Sequence, residues 1–138
     1  VSAAVSVPVI HIADAVGKKM KADSVKSAAL IGTGNVMAEN WYRQRLVKHG
    51  VSLLPAEMDD VNDLERIIYD ELMHGIVKRD SERALKTIIT EIDQQGIKSV
   101  VLGCTELSML VDTKANVLPI YDCTRIHAEA AVDWILGD

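Results

Sequence analysis

The feature that most constrains the fold is the alternation of short apolar runs with helical patterns along the chain. The runs cover residues 28–31, 51–54, 99–102 and 117–120, with a fifth candidate at 7–12. Continuous apolar runs are typical of strands that helices cover on both faces. Strands that alternate with helices indicate a parallel sheet. We therefore predict an α/β fold built on a doubly wound parallel sheet. The run at 7–12 is a fifth strand of this sheet or a strand of another sheet.

Apolar residues at helical spacing mark the segments between these strands. The clearest helix is predicted over residues 80–95, with Asp80 or Ser81 as its N-cap and Gly96 as its end. Another is predicted over residues 60–74 and ends at Gly75. Two more are marked by residues 37–47 and by the C-terminal segment, for which Thr124 or Asp122 is the expected cap. Trp41 and Trp134 lie at helical spacings and are expected in the core.

Length and charge exclude several classes of protein. The chain has 138 residues, which fits one domain, and its net charge is −5. The acidic balance argues against nucleic acid as a partner and against a polybasic membrane surface. No apolar run approaches the roughly 20 residues that a membrane span needs. The segment that begins at Val1 has no basic n-region, so we expect no signal peptide there. We expect a cytoplasmic protein, and the apolar N-terminal segment suggests that a preceding part has been removed.

The ends of the predicted strands carry the candidate site residues, because ligands bind beyond the carboxyl ends of parallel strands. Cys104 follows the strand at 99–102, and free N–H groups of a following turn would lower the pKa of its thiol. The alternative is a buried cysteine that acts as a small apolar residue. Neither Cys104 nor Cys123 has the spacing of a disulfide or zinc motif, and the four histidines are scattered, so we expect no metal site.

Two further strand ends offer polar groups. Residues 32–35 read Gly-Thr-Gly-Asn, which lacks the third glycine of a dinucleotide motif and the lysine of a P-loop. This loop is better suited to hold a small carboxylate through N–H groups, a hydroxyl and an amide. Asp122 and His127 are candidates for an acid/base pair, although capping by Asp122 is the simpler interpretation.

Several motifs together resemble the aspartate/glutamate racemase superfamily. Residues 103–107, Gly-Cys-Thr-Glu-Leu after Val-Val-Leu, resemble its second cysteine motif. Residues 30–33, 68–75, 119–127 and 8–12 are similar to other family segments in the same order. Glu106 directly after Cys-Thr points to aspartate racemase, since the glutamate racemase branch usually carries histidine there.

The resemblance implies a two-lobed enzyme without pyridoxal phosphate or another cofactor, in which one cysteine from each lobe acts on opposite faces of the substrate α-carbon. Residues 25–116 would form the second, flavodoxin-like lobe. Residues 1–24 would be the end of the first lobe and a connecting helix, and residues 117–138 a strand and helix that pack on the first lobe. The first-lobe motif, Cys-Asn-Thr, is absent from the chain.

The resemblance also implies roles for individual residues. Cys104 would be the acid/base thiol, and the substrate site would comprise Thr33, Asn35, Tyr69, Thr105 and Glu106. The expected partners are a small acidic amino acid, the first lobe and a second copy in a dimer. The chain departs from the family at Val36, where a threonine is common, at Met73, near where some members carry lysine, and at Cys123, where a small residue is usual. We expect Cys123 on the same rim as Cys104, most simply as a neutral replacement.

The chain is thus interpreted as part of a cofactor-independent amino-acid racemase, inactive alone because it supplies one cysteine of two. Two alternatives stay open. One is a related cysteine enzyme of the hydantoin racemase, maleate isomerase or arylmalonate decarboxylase type. The other is a non-catalytic flavodoxin-like domain that binds a small acid or a protein partner.

Overall fold

The computed structural model describes residues 1–38, 40–53 and 61–137. The strands are β1 (Ser27–Ile31), β2 (Ser52–Leu53), β3 (Val100–Leu102) and β4 (Ile120–Asp122). The α-helices are α1 (Ile12–Ala22), α2 (Gly34–Ala38), α3 (Asn40–Lys48), α4 (Val61–Arg66), α5 (Arg79–Gln94) and α6 (Cys123–Leu136). A π turn (Ile67–Glu71) follows α4, and 3₁₀ turns span Ser2–Ala4, Leu72–His74 and Thr105–Met109. Leu54 and Asp60, predicted as a strand end and a helix start, lie outside the described residues.

The strands form a parallel sheet in the order β2-β1-β3-β4. In this register Ile31 lies opposite Leu102, and Leu102 lies opposite Asp122. Helices cover both faces, so the predicted α/β fold with a doubly wound parallel sheet is confirmed. Within the described residues, no helix is long and apolar enough to cross a lipid bilayer.

Alternate residues of each strand point into two separate cores. One core lies under α4, α5 and the turns beside them, and the strands contribute Ala29, Ile31, Val100 and Leu102 to it. The other lies under α1, α3 and α6, and the strands contribute Ala28, Leu30, Val101 and Tyr121. Because strand side chains alternate in direction, a continuous apolar run fills both cores at once.

The predicted fifth strand at residues 7–12 is wrong. Residues 5–11 are irregular, and Ile12 already begins α1. His11 is the N-cap of that helix, since its Nδ1 accepts a hydrogen bond from the Ala13 N–H at 3.1 Å. The last strand is also shifted: it spans Ile120–Asp122, whereas Val117 is 65% exposed. The ladder begins where the Pro119 carbonyl accepts from the Val100 N–H at 3.0 Å.

The helix ends and the tryptophans bring further corrections. Helix α5 ends before Gly96 as predicted, but Lys78 is its N-cap and provides no side-chain cap. The predicted core positions of Trp41 and Trp134 are wrong, since these side chains are 42% and 60% exposed. In α3 the neighbouring Tyr42 is buried instead, because helical spacing alone does not tell which face meets the sheet.

Candidate active site

The candidate site lies in the crevice between the loops that follow β1 and β3. The chain leaves β1 toward β2 on one side and returns at β3 on the other, so these two loops diverge at a topological switch point. Close backbone packing forms the floor of the crevice. The Gly103 N–H donates to the Ile31 carbonyl at 2.8 Å. A Cβ on Gly103 would lie only 2.8 Å from Val36 Cγ1 and 3.0 Å from Leu30 Cδ1, so a side chain before Cys104 would have to displace these two residues.

Cys104 stands at the start of the Thr105–Met109 turn, where it is partly exposed. Its Sγ donates a hydrogen bond to Oε2 of Glu106 at 3.0 Å. The Thr105 hydroxyl donates to the same oxygen at 2.7 Å. One carboxylate oxygen of Glu106 therefore accepts both hydrogen bonds.

The protonation state follows from these contacts. Burial, and then the hydrogen bond to the Glu106 carboxylate, raise the pKa of Cys104 to about 11. The hydrogen bonds from Cys104 and Thr105 lower the pKa of Glu106. The predicted lowering of the thiol pKa is therefore wrong. Hydrogen bonds from the backbone N–H groups of Glu106 and Leu107 do lower the pKa of Cys104, but burial and the Glu106 carboxylate outweigh them. At neutral pH the pair consists of a thiol and a carboxylate.

The loop after β1 contributes Thr33, Gly34 and Asn35. The Thr33 hydroxyl oxygen accepts from the Val36 N–H at 3.5 Å, and the Asn35 side chain is exposed in the first turn of α2. The Gly34 N–H donates to Oε1 of Glu65, which reaches over from α4, at 3.1 Å. Sequence analysis missed Glu65, because a contact across 31 positions leaves no signal in local spacing.

Tyr69 lies in the π turn, 42% exposed, and forms no hydrogen bond to the other predicted site residues that the structure describes. The next residues are more closely tied to the site, since the Leu72–His74 turn packs against the Thr105–Met109 turn. Glu71 lies at the junction and is buried. Its carboxylate accepts from the Ser81 hydroxyl at 2.5 Å and from Arg66 Nη1 at 3.1 Å, and Lys78 Nζ lies 3.4 Å away.

Cys123 is placed differently from Cys104. It packs in the core under α1, α3 and α6, whereas Cys104 packs against the other core. Its Sγ lies 2.6 Å from the Tyr42 hydroxyl, and burial raises the pKa of the Cys123 thiol to about 12. As predicted, both cysteines follow the carboxyl ends of neighbouring strands, β3 and β4. Cys123, as the first residue of α6, turns into the core, so its thiol does not lie beside that of Cys104.

The remaining candidates do not converge. Asp122 Oδ1 accepts from the N–H groups of Thr124 and Arg125 and so caps α6, as the simpler interpretation predicted, whereas the Thr124 cap is wrong. His127 contacts the Ile10 carbonyl through Nε2 at 2.7 Å rather than Asp122. In the described part of the chain, no group of His, Cys, Asp and Glu side chains could hold a metal ion. Two clefts of about 410 and 370 Å³ are lined by neither Cys104 nor residues 32–35.

Sequence comparison places the chain in a known family. The family model for Asp/Glu/hydantoin racemases matches residues 1–131. The chain belongs to the Asp/Glu/hydantoin racemase family. The match confirms the resemblance to the aspartate/glutamate racemase superfamily that the sequence motifs indicated.

Solved structures extend the comparison to the fold of this racemase family member. A Yersinia pestis protein described as a candidate Asp/Glu racemase is 37% identical, with a TM-score of 0.90 over 98% of the chain. An aspartate racemase homologue from Pyrococcus horikoshii OT3 is 27% identical, with a TM-score of 0.86 over 96% of the chain. A Picrophilus torridus aspartate racemase, 21% identical with a TM-score of 0.67 over 93% of the chain, shares the fold. The chain spans 59%, 58% and 52% of these three structures.

Proposed function

We propose that this chain is the second lobe of a cofactor-independent amino-acid racemase, with Cys104 as the thiol that acts on one face of the substrate α-carbon. The observation that carries the proposal is the Cys104–Glu106 pair at the switch-point crevice, with Sγ 3.0 Å from the carboxylate. Membership in the racemase family supports the reaction class.

The protonation state assigns the first step. Inversion needs a base on one face of the α-carbon and an acid on the other. Cys104 rests as a thiol, so it is the acid: a base on the opposite lobe takes the α-proton, and the Cys104 S–H gives its proton to the other face. The thiolate left behind takes the α-proton when the reaction runs in reverse. Glu106 holds the thiol proton toward the crevice and is a positioning residue, and Thr33 and Asn35 receive the substrate α-carboxylate.

The first lobe is proposed to cover the surface formed by the N-terminal segment and α6. The exposed apolar residues of α6 are Val132, Trp134, Ile135 and Leu136. The hydrogen bond between His127 and the Ile10 carbonyl joins the N-terminal segment to this helix. We propose that residues 1–24 and 117–138 pack on the first lobe, around the second lobe at 25–116. A large exposed apolar surface of this kind is typical of an interface.

The test is incubation of L-aspartate and, in a separate reaction, of L-asparagine in deuterated water, with chirality followed by chiral chromatography and deuterium by mass spectrometry. The 138-residue chain should not racemise the substrate, because it supplies one face of a two-face proton transfer. A product of the reading frame extended upstream through a Cys-Asn-Thr motif should racemise amino acids and incorporate deuterium. In that longer product Cys104→Ala should abolish racemisation, and Cys123→Ala should retain it.

Two outcomes would contradict the proposal. Racemisation by the 138-residue chain that disappears in both cysteine variants would make Cys123 the second base. An upstream frame with a start codon near Val1 and no Cys-Asn-Thr motif would favour the non-catalytic binding domain.

A further inference from the structure

The crevice around Cys104 is lined by carboxylates that come from two elements. Glu106 uses one oxygen, Oε2, for Cys104 and Thr105. Glu65 uses Oε1 for the Gly34 N–H. These contacts use one oxygen of each carboxylate, and the Glu106 carboxylate also accepts from its own backbone N–H. A carboxylate offers about four lone-pair positions, so each can still accept from a donor on a ligand. Glu65 also occupies the backbone donor that was expected to serve a substrate carboxylate.

Among the described residues, no lysine or arginine side chain forms an ion pair with Glu65 or Glu106. In the described part of the chain, Arg43 is the cationic residue that bonds to an element of the crevice. Its guanidinium donates hydrogen bonds at 3.5 Å to the carbonyls of Met37 and Leu53, and these carbonyls lie on the β2 side of α2. Arg66 is engaged by Glu71. Residues 54–60, outside the described residues, contain no lysine or arginine.

We infer that the crevice takes an amino acid with an uncharged side chain, with the substrate ammonium group toward Glu106, and that it disfavours a dicarboxylate. The inference rests on the proposed function and narrows its substrate class. The substrate α-carboxylate meets the hydroxyl of Thr33 and the amide of Asn35, and the ammonium group meets the carboxylate of Glu106. A second carboxylate would find no cation at this lobe and would be repelled by Glu65. This substrate differs from the small acidic amino acid that the sequence led us to expect.

The first experiment measures the electrostatic potential at Cys104. Two methanethiosulfonate reagents of opposite charge, one with a trimethylammonium and one with a sulfonate group, are reacted with the 138-residue chain. The rate with the cationic reagent is divided by the rate with the anionic reagent. This ratio is then divided by the same ratio for 2-mercaptoethanol, which corrects for the different intrinsic reactivities of the two reagents. Because the thiolate attacks both reagents, the thiol pKa cancels from the ratio. The Cys104→Ser variant gives the contribution of Cys123.

The cationic reagent should be favoured about tenfold or more at low salt, since two nearby unit charges act with opposite sign on the two reagents. Glu65→Gln keeps an acceptor for Gly34 and should lower the preference at least threefold. Glu129→Gln removes the same charge from the exposed, Arg125-paired position on α6 and should leave the ratio unchanged. A wild-type ratio near one, or equal effects of the two substitutions, would overturn the inference.

The second experiment tests the substrate class with an isosteric pair. L-asparagine and L-aspartate are compared as protectants of Cys104 against iodoacetamide. L-asparagine should protect at concentrations at least tenfold lower than L-aspartate, and Glu65→Gln should narrow that gap. Equal or better protection by L-aspartate would overturn the inference and leave the proposed racemase intact. Protection by neither amino acid would contradict substrate binding at this lobe, and so both the proposed function and the inference.

Discussion

At the scale of single residues, the two cysteines show how the environment decides chemistry. Cys104 stands at a strand end against a carboxylate, and Cys123 lies in a core against a tyrosine hydroxyl. Burial raises the pKa of both thiols, to about 11 and about 12 respectively. They differ in access, because Cys123 is 2% exposed and Cys104 is partly open. Access, rather than acidity, therefore distinguishes the candidate catalytic thiol.

Alkylation of Cys104 should depend steeply on pH. Because the thiolate reacts and the pKa is raised to about 11, the rate with iodoacetamide should rise about tenfold per pH unit between pH 7 and 9. Peptide mapping should find the label on Cys104 and not on Cys123. A plateau below pH 8, or faster labelling of Cys123, would contradict the assignment.

Glu106→Gln should increase the alkylation rate of Cys104 at pH 7.5. The substitution removes the negative charge and the strong acceptor that stabilise the thiol form, so the pKa of Cys104 should fall. A shift of one pKa unit would raise the rate about tenfold. The exposed Glu91→Gln serves as the control and should leave the rate unchanged. A slower rate in Glu106→Gln would show that Glu106 promotes thiolate formation in the resting state.

At the scale of elements, Glu71 stabilises the junction between the π turn and the turn that packs on the cysteine loop. The hydrogen bond from Ser81, and then those from Arg66 and Lys78, lower the pKa of Glu71 in the folded chain. Ser81 was predicted as a possible helix cap, but it donates inward to this carboxylate. A buried carboxylate with several donors is costly to disturb, because removal of one partner leaves the others unpaired.

Glu71→Gln should lower the Tm at pH 7, and the difference from wild type should shrink as the pH falls toward 3. A carboxylate whose folded pKa is lowered stabilises the folded state above its unfolded pKa, about 4.3, and this contribution is lost as the pH falls through the folded value. The measurement is thermal unfolding by circular dichroism across pH 3–7. Glu91→Gln, on the exposed face of α5, is the matched control. A Tm difference that is independent of pH would contradict this account.

Gly17→Ala should destabilise the contact between α1 and α3. A Cβ at this position would clash with the ring of His49 and lie 2.9 Å from its Cβ, so the residue that follows α3 has to move. We expect a loss of about 1–3 kcal/mol, although alanine favours the helix by up to about 1 kcal/mol. Urea unfolding measures the change. The double variant Gly17→Ala/His49→Ala should recover part of the lost free energy of unfolding. If it recovers none, the contact with His49 is not the cause of the loss.

At the scale of the whole molecule, the apolar surface of α6 determines how the chain behaves alone. We expect the 138-residue chain to form a dimer or a larger species, because Trp134 and Ile135 are 60% and 73% exposed. Light scattering should show association that Trp134→Glu/Ile135→Glu reduces. Val47→Glu changes an exposed apolar residue of α3, within residues 25–116, and should have no effect. A monomeric wild type at high concentration would contradict both the dimer and the interface proposed for the first lobe.

The sequence by itself determined the layered architecture and the motif order. Apolar runs that fill two cores can lie only in a sheet covered on both faces, and helical spacing with a terminal glycine marked α5 and the segment ending at Gly75. It also located Cys104 at a strand end. These properties depend on residues close together in the chain, where spacing directly reports which side chains share a face.

Tertiary structure alone decided the chemistry of the crevice. The contact of Glu65 with Gly34, the pairing of Cys123 with Tyr42 and the burial of Glu71 join residues from different elements, and no local pattern encodes them. Even the protonation state of Cys104 depends on packing. The motif contains Glu106 two positions away, but the geometry of the turn brings its carboxylate to the thiol. A pKa responds to every charge and every layer of burial within a few ångströms, so it is a property of the folded chain.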